Sequence, residues 1–141
     1  MATTFPLQLV TPTGVVFEGE VEEVTATGPL GQFGVLAEHI NFITSLLPGA
    51  LEIKRVGGAT EIWVISGGLA EVKDGAMTVL ASGAEAPSSI DRAAAAADEQ
   101  AADQKIAAMS FYDAEYPAAE DALLLARARA TASDASARAG H

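Results

Sequence analysis

The sequence contains no cysteine and only two histidines, His39 and His141, among its 141 residues. Disulfide bonds and thiolate metal sites are therefore excluded, and a site of several histidines cannot be built. Basic residues are also scarce, because 8 lysines and arginines stand against 19 acidic residues and give a formal net charge of −11. A surface of this sign repels nucleic-acid phosphates and anionic lipids, so neither is an expected ligand.

Long apolar runs are missing as well. No segment approaches the roughly 20 apolar residues that a membrane-spanning helix needs. The first residues lack the charged and apolar regions of a secretion signal. We therefore expect a cytoplasmic protein without direct membrane insertion. Half of the residues are hydrophobic, which is above the range of disordered chains, so the chain is expected to fold.

Glycine divides the chain into two compositions. Twelve of the thirteen glycines lie at or before Gly83, whereas 20 of the 54 residues from position 88 onward are alanine. Short apolar segments between glycine-rich turns are typical of an antiparallel β-sandwich, and alanine favours helices. The sequence therefore predicts an all-β sandwich at residues 1–87 and an α-helical hairpin at residues 88–141.

Apolar residues at every second position predict the buried strand faces. Phe5, Leu7 and Leu9 are expected to share one face of a strand, and Val15 and Phe17 one face of the next. These strands are therefore expected to be buried on one side.

Two residue pairs predict tight hairpins in the sandwich. Gly57-Gly58 and Asp74-Gly75 each lie between strand-like segments and can supply the positive φ angles that such turns need. Residues 62–65 are apolar at every position, which is typical of a central strand covered on both sides.

The alanine-rich part predicts two helices with a weak apolar stripe. The first is expected at about residues 90–108, with Ser88 or Ser89 as its N-cap. The second is expected at about residues 117–130 and begins at Pro117, and the residues after it are expected to fray. Because alanine buries little area, the pair is predicted to be weakly held and movable.

Motifs for catalysis and for phosphate binding are lacking. The glycines of Gly28 to Gly34 do not have the dinucleotide-binding spacing and are interpreted as turns. A hydrolase that uses Glu38, His39 and Ser66 is an alternative, but the nucleophile-elbow pattern around Ser66 fails. Glu38 and His39 would also point to opposite faces of a strand. We expect a chain with no catalytic residue, no metal and no cofactor.

Four segments, taken in order, resemble the epsilon subunit of bacterial F-type ATP synthase, a family homologous to the mitochondrial delta subunit. They are Phe17-x-Gly19-x-Val21-x-x-Val24, the segment Gly31 to His39, Leu47-Pro48-Gly49, and the segment Ser66 to Val72. The resemblance implies a flattened sandwich of about ten strands followed by two helices. It also implies a non-catalytic rotor subunit of the central stalk in a proton-translocating enzyme, peripheral on the cytoplasmic face of the bacterial inner membrane.

The resemblance also implies partners. Subunits of this family bind the gamma subunit and touch the polar loops of the c ring. By position, Gln32, Phe33 and His39 are expected to contact the c ring, and Thr11 is expected to contact gamma. The helices of some relatives inhibit ATP hydrolysis through the alpha and beta subunits.

Arg127 and Arg129 are the candidates for such regulatory contacts in this chain. The short neutral tail predicts that autoinhibition is weak or absent. In some relatives the helical pair binds ATP through the pattern Ile/Leu-Asp-x-x-Arg-Ala. Here Ile90 and Asp91 match, but Ala94 stands where the pattern has arginine. Asp91 is therefore the one candidate ATP contact, and ATP binding of useful affinity is not expected. A nucleotide-sensing regulatory module is the alternative function.

Overall fold

The computed structural model describes the backbone of residues 3–139 and the side chains of residues 3–87 and 89–133. The described part contains nine strands and then two long helices. The strands are β1 (Phe5–Thr11), β2 (Gly14–Gly28), β3 (Gly31–Leu36), β4 (Phe42–Leu46), β5 (Gly49–Arg55), β6 (Thr60–Ile65), β7 (Gly68–Lys73), β8 (Ala76–Ala81) and β9 (Ala84–Glu85). A 3₁₀ turn at Pro87–Ser89 leads to α1 (Arg92–Ala107) and α2 (Tyr116–Ala139).

The strands form two layers that share β2. The first half of this 15-residue strand pairs with β1, and its second half pairs with both β3 and β5. The first layer therefore has the order β4-β7-β8-β1-β2, and the second layer has the order β3-β2-β5-β6-β9. Within residues 3–139 the pairings are antiparallel except that of β1 with β8. The predicted all-β sandwich with a C-terminal helical pair is confirmed.

The main core lies between the two layers. Phe5, Leu7 and Leu9 are all buried in it, as the alternation predicts. Burying one such side chain contributes roughly 1.5–3 kcal/mol relative to leaving it in water. The largest core side chains that are fully buried are Leu7, Leu9, Val21, Val24, Val35, Leu51, Ile53, Ile65, Met77 and Val79.

A β-bulge overturns the prediction that Val15 and Phe17 share a face. Leu9 pairs with Phe17, but the next residue, Val10, pairs with Val15, so that Val16 is an extra residue in β2. The extra residue shifts the alternation by one position. Phe17 is buried in the core, whereas Val15 is 50% exposed on the outer face.

Both predicted hairpins are confirmed. Gly57-Gly58 lies in the turn between β5 and β6, with φ angles of 98° and 94°, and Asp74-Gly75 joins β7 to β8, with φ angles of 51° and 80°. In the Asp74-Gly75 turn, positive φ at both central residues gives a twist that matches the paired strands. In the other turn the Gly58 N–H donates to the Arg55 carbonyl oxygen at 3.0 Å, so Gly57 is the second central residue and Gly58 follows it. β6 is also covered on both sides, because Trp63 and Ile65 face the main core and Val64 packs against α2.

The N-cap of α1 differs from the prediction. Asp91 caps the helix, since its carboxylate accepts a hydrogen bond from the Ala94 N–H at 2.9 Å. The prediction of Ser88 or Ser89 as the cap is wrong, because both lie in the 3₁₀ turn and Ile90 after them is extended. The helix can begin only after that extended residue.

The second helix is longer than predicted. It covers Tyr116–Ala139, so Pro117 is its second residue and residues 131–139 are helical rather than frayed. Alanine recurs at every second or third position in this segment. Because alanine has the highest helix propensity, the helix continues past its predicted end. Gly140 and His141 lie outside the described residues.

The helical pair packs on the outer face of the second layer. Ala128 and Ala132 of α2 form a small buried cluster with Val64 of β6, and the partly buried Leu125 and Ile62 surround it. Among residues 3–139, no helix is long and apolar enough to span a membrane. The last strand ends at residue 85 and α1 begins at residue 92, so the proposed division at residue 87 falls in the connection between them.

Candidate partner-binding surfaces

Three ring side chains meet at one edge of the sandwich, and we call this cluster the aromatic corner: Phe33, His39 and Phe42. The Phe33 and Phe42 rings contact edge to face with centroids 5.6 Å apart, and the His39 and Phe42 centroids are 4.9 Å apart. The cluster forms because β3 of the second layer turns directly into β4 of the first layer. Phe42 thus joins two of the residues that the family resemblance assigned to the c ring.

Gln32 does not belong to the aromatic corner. Side chains alternate along β3, so Gln32 and Leu36 share the outer face while Phe33 and Val35 point inward. Gln32 pairs with Thr27 of β2 and is exposed. The three predicted c-ring residues are therefore distributed over two faces of one edge.

Large aliphatic side chains are exposed beside the aromatic corner. Ile40 is 77% exposed in the loop that follows His39, and its carbonyl oxygen lies 2.8 Å from His39 Nδ1. Ile43 on β4 and Leu36 at the end of β3 are also exposed. Each of these residues lies within three positions of His39 or Phe42 along the chain, and several exposed large aliphatic residues around one corner are typical of a surface that a partner covers.

A second apolar surface crosses the outer face of the first layer, and we call it the apolar row: Val10, Val15, Leu69 and Leu80. Val10 lies opposite both Val15 and Leu80, and Leu80 lies opposite Leu69, so the four are successive neighbours across β2, β1, β8 and β7. Val15 and Leu80 are each about half exposed. The alternation in the sequence missed this row because the bulge places Val15 on the outer face.

Thr11, the predicted gamma contact, lies at the end of β1 beside the apolar row. Its Oγ1 lies 2.8 Å from Oγ1 of Thr13 in the β1–β2 turn, and it follows Val10 directly. Side chains alternate along β1, so Thr11 lies at the end of the apolar row but does not share the outer face of Val10.

The residues of the alternative hydrolase do not come together. Glu38 has a φ of 66° in the turn after β3, so it does not lie on a strand as the alternation argument assumed. His39 packs on Phe42 at the start of β4, whereas Ser66 lies near Leu46 at its end. Four strand residues separate these ends by about 13 Å. The arrangement supports no catalytic triad.

Both arginines that were assigned to regulatory contacts form ion pairs within the chain. Arg127 Nη2 lies 2.9 Å from Asp103 Oδ1, which ties α2 to α1. Arg129 Nε lies 2.7 Å from Glu85 Oε2, which ties α2 to β9 of the sandwich. The two pairs hold different parts of the helical hairpin.

A pocket of about 180 Å³ lies between the sandwich and both helices, and Asp91 lines it. The other lining residues are Glu85, Ser89, Ile90, Ala94, Ala95, Asp98 and Arg129. Three carboxylates therefore face one guanidinium group, which Glu85 already neutralises, and the Asp91 carboxylate is engaged as the helix cap. A polyphosphate requires cations and free N–H donors, so these residues do not fit ATP.

In the described part of the chain, no three His, Cys, Asp or Glu side chains are placed to hold a metal ion.

Comparisons with known proteins agree with this fold. Residues 4–87 match the family model "ATP synthase, Delta/Epsilon chain, beta-sandwich domain". The ATP synthase epsilon chain of Caldanaerobacter subterraneus subsp. tengcongensis is 41% identical over 124 residues, which is 87% of this chain and 88% of the relative. The epsilon chain of Legionella pneumophila strain Corby is 37% identical over 131 residues, which is 92% of this chain and 94% of the relative.

Solved structures show the same architecture. A chain of the Euglena gracilis mitochondrial ATP synthase, from a structure of OSCP, F1 and the c-ring, matches with a TM-score of 0.78 at 28% identity, over 94% of this chain and 82% of that one. A chain from the central stalk and c-ring of the Tetrahymena thermophila enzyme has a TM-score of 0.56 at 15% identity and shows the fold alone. With a sandwich that matches the family model and relatives that match over 87% and 92% of its length, the chain belongs to the ATP synthase delta/epsilon family, as a non-catalytic epsilon subunit of the F-type enzyme.

Proposed function

We propose that this chain is a rotor subunit of the central stalk in a proton-translocating F-type ATP synthase, where it couples rotation of the c ring to the catalytic head through gamma. The observation that carries the proposal is the pair of uncovered apolar surfaces on a sandwich of this family. A subunit that transmits torque must be held at two places, one towards the ring and one towards the stalk.

The aromatic corner and the residues beside it form the proposed c-ring contact. Phe33 and His39 are fixed by Phe42, and their neighbour Ile40 projects into solvent from the same loop. Gln32 extends this contact along the outer face of β3. The packed aromatic side chains hold this edge of the sandwich in one geometry. A contact that transmits torque to the c ring requires such a fixed geometry.

The apolar row and Thr11 form the proposed gamma contact. The row continues across four strands of the first layer, which is the face opposite to the helical pair. Gamma can therefore bind this face while the helices stay on the second layer. The proposed location is peripheral, on the cytoplasmic face of the bacterial inner membrane.

The helical pair contributes at most weak regulation of ATP hydrolysis in this proposal. Arg127 and Arg129 would have to leave Asp103 and Glu85 before they could bind alpha or beta subunits. Each such exchange breaks one ion pair within the chain for each ion pair formed with the partner. The net gain in binding free energy is therefore small.

Photocrosslinking tests both contacts directly. Since the chain has no cysteine, single cysteines can carry a benzophenone at Ile40→Cys, at Leu80→Cys and, as the matched exposed control in the β5–β6 turn, at Val56→Cys. The labelled, tagged chain is assembled with detergent-solubilised bacterial ATP synthase that has been depleted of its own epsilon subunit. The products are identified by mass spectrometry.

Position 40 should crosslink to the c subunit, position 80 to gamma, and position 56 to neither. Recovery of no ATP synthase subunit with the tagged chain would reject the rotor role. Recovery of the complex with interchanged crosslinks would keep that role and reject the assignment of the two surfaces.

A further inference from the structure

The helical pair is held on the sandwich by a small contact. The buried part of this contact consists of Val64 on one side and of Ala128 and Ala132 on the other. Alanine side chains bury only a methyl group each, so the apolar contribution of this contact is low. Any additional bond between the sandwich and the helices therefore contributes a large part of the free energy that keeps the two helices docked.

An ion pair crosses this boundary between β9 and α2. Arg129 Nε donates a hydrogen bond to Glu85 Oε2 at 2.7 Å, and about two thirds of each side chain is buried. Bonds between ionised partners are stronger than neutral ones, and about a third of each side chain remains in solvent, where salt can screen the attraction. By contrast, Arg127 and Asp103 connect the two helices to each other, are more exposed, and do not touch the sandwich.

The same ion pair occupies the pocket beside Asp91. Of the described residues that line this pocket, Arg129 is the one cation, and Asp98 adds a further negative charge to those of Glu85 and Asp91. Ala94 contributes no charge at the position where the family's nucleotide pattern has arginine. A bound polyphosphate would have to displace Glu85 from Arg129 and would still face two carboxylates.

We propose that the Glu85–Arg129 ion pair is a built-in clasp that holds the helical pair on the sandwich in place of a bound nucleotide. Docking of the helices then depends on ionic strength and does not depend on ATP. The proposal rests on contacts within the chain and not on the proposed c-ring and gamma surfaces, so either can fail without the other.

The test measures how often α2 leaves the sandwich. A single cysteine at Ala132→Cys is buried in the docked contact and becomes reactive only when α2 moves away, so its labelling rate by a maleimide reports the undocked fraction. Adding Glu85→Gln should raise this rate roughly three- to fivefold, which is the expected effect of a partly buried ion pair. Molar sodium chloride should raise the labelling rate of the chain that keeps Glu85. It should raise the labelling rate of the Glu85→Gln variant much less.

Two variants separate the clasp from general damage to the helices. Asp103→Asn removes the ion pair between Arg127 of α2 and Asp103 of α1, which does not reach the sandwich, and should leave the rate of labelling nearly unchanged. Exchanging the charges with Glu85→Arg and Arg129→Glu together should restore a slow rate, whereas either change alone should not. Far-ultraviolet circular dichroism checks that each variant keeps its helices.

Millimolar ATP, compared at equal ionic strength, should leave the labelling rate unchanged. A rate for Glu85→Gln equal to that of the unsubstituted chain would overturn the clasp. A severalfold slowing of labelling by ATP would overturn the statement that the clasp replaces a nucleotide. Neither result would bear on the crosslinks at positions 40 and 80.

Discussion

The sandwich and the helical pair keep their shapes by different means. The sandwich encloses a core of large aliphatic side chains, ten of which are almost fully buried. The buried side chains described on the helices are mainly those of alanine, with Leu123 as the one large member. Because hydrophobic stabilisation grows with buried apolar area, the sandwich is stable by its own core, whereas the helices depend on what they are docked against. Substitutions in the sandwich should therefore lower the free energy of unfolding more than substitutions in the helices do.

The largest effect is expected at Gly68, where two strands approach each other closely. A Cβ atom at this position would lie 2.0 Å from the Leu80 carbonyl oxygen, which is a backbone atom and cannot rotate away. Gly68→Ala should therefore lower the free energy of unfolding by more than about 3 kcal/mol. Chemical denaturation followed by Trp63 fluorescence measures the change.

Gly19→Ala is the matched control for this substitution. Gly19 also lies in a strand of the first layer, but a Cβ atom there would meet no atom within 4 Å. Its effect on the free energy of unfolding should be within about 0.5 kcal/mol. Equal losses for both variants would show that strand propensity, and not close approach, makes the sandwich sensitive.

The next effect is expected from a cavity in the main core. Leu51 has no exposed surface and lies opposite Trp63 on the neighbouring strand. Leu51→Ala should cost about 3 kcal/mol of unfolding free energy, the sum of lost burial and the cavity left behind. Leu125→Ala, at the edge of the helix contact, removes the same atoms and should cost less than half as much. Similar losses at both sites would remove the contrast between the two regions.

Much of the fold could be predicted from the sequence because its signals are local. Glycine pairs such as Gly57-Gly58 specify turns through backbone conformation alone, and the change from glycine to alanine separates strands from helices. The bulge at Val16 was not predicted, since an extra residue within an apolar run leaves the composition of the run unchanged. The cap at Asp91 was also missed, because Ser88 and Ser89 have equal capping ability and only the extended Ile90 excludes them.

The binding surfaces were less predictable. The resemblance placed Phe33 and His39 near each other, but Phe42 joins them through the folding of β3 against β4, which no local pattern encodes. The partners of Arg127 and Arg129 lie 24 and 44 residues away along the chain. Such distant ion pairs have no signal in a single sequence, so these side chains were interpreted as free for external contacts.

Removing residues 88–141 should lower the stability of the sandwich less than the core substitutions do, and it tests whether the sandwich is stable without the helices. The sandwich loses the cover over Val64, Ile62 and Ala50. It also loses the Arg129 partner of Glu85. Its unfolding should stay cooperative, and its free energy of unfolding should fall by about 1–2 kcal/mol. The separate peptide 88–141 should show no cooperative transition, since helices of this kind depend on tertiary packing. Thermal scans of both fragments by circular dichroism measure this. An unfolded 1–87 fragment would show that the sandwich depends on the helices.

The same truncation tests regulation in the assembled enzyme. Because Arg127 and Arg129 are engaged within the chain, the ATPase rate of the complex should change little when residues 88–141 are absent. The truncated and complete chains are assembled with the same epsilon-depleted enzyme and compared at saturating ATP. A strong rise in the rate would contradict the weak regulation proposed above and would show that the helices reach the catalytic head.

The smallest effect is expected at the start of α1. Asp91→Ala removes the acceptor of the Ala94 N–H and should destabilise the first turn by about 1 kcal/mol, while the sandwich transition reported by Trp63 stays unchanged. Asp98→Ala removes a carboxylate from the same helix without removing a cap, so it should not lower the helical signal. If Asp91→Ala instead shifted the Trp63 transition, the stability of the sandwich would be coupled to the helix through the connection at residues 86–91. The two regions would then have to be treated as one cooperative unit.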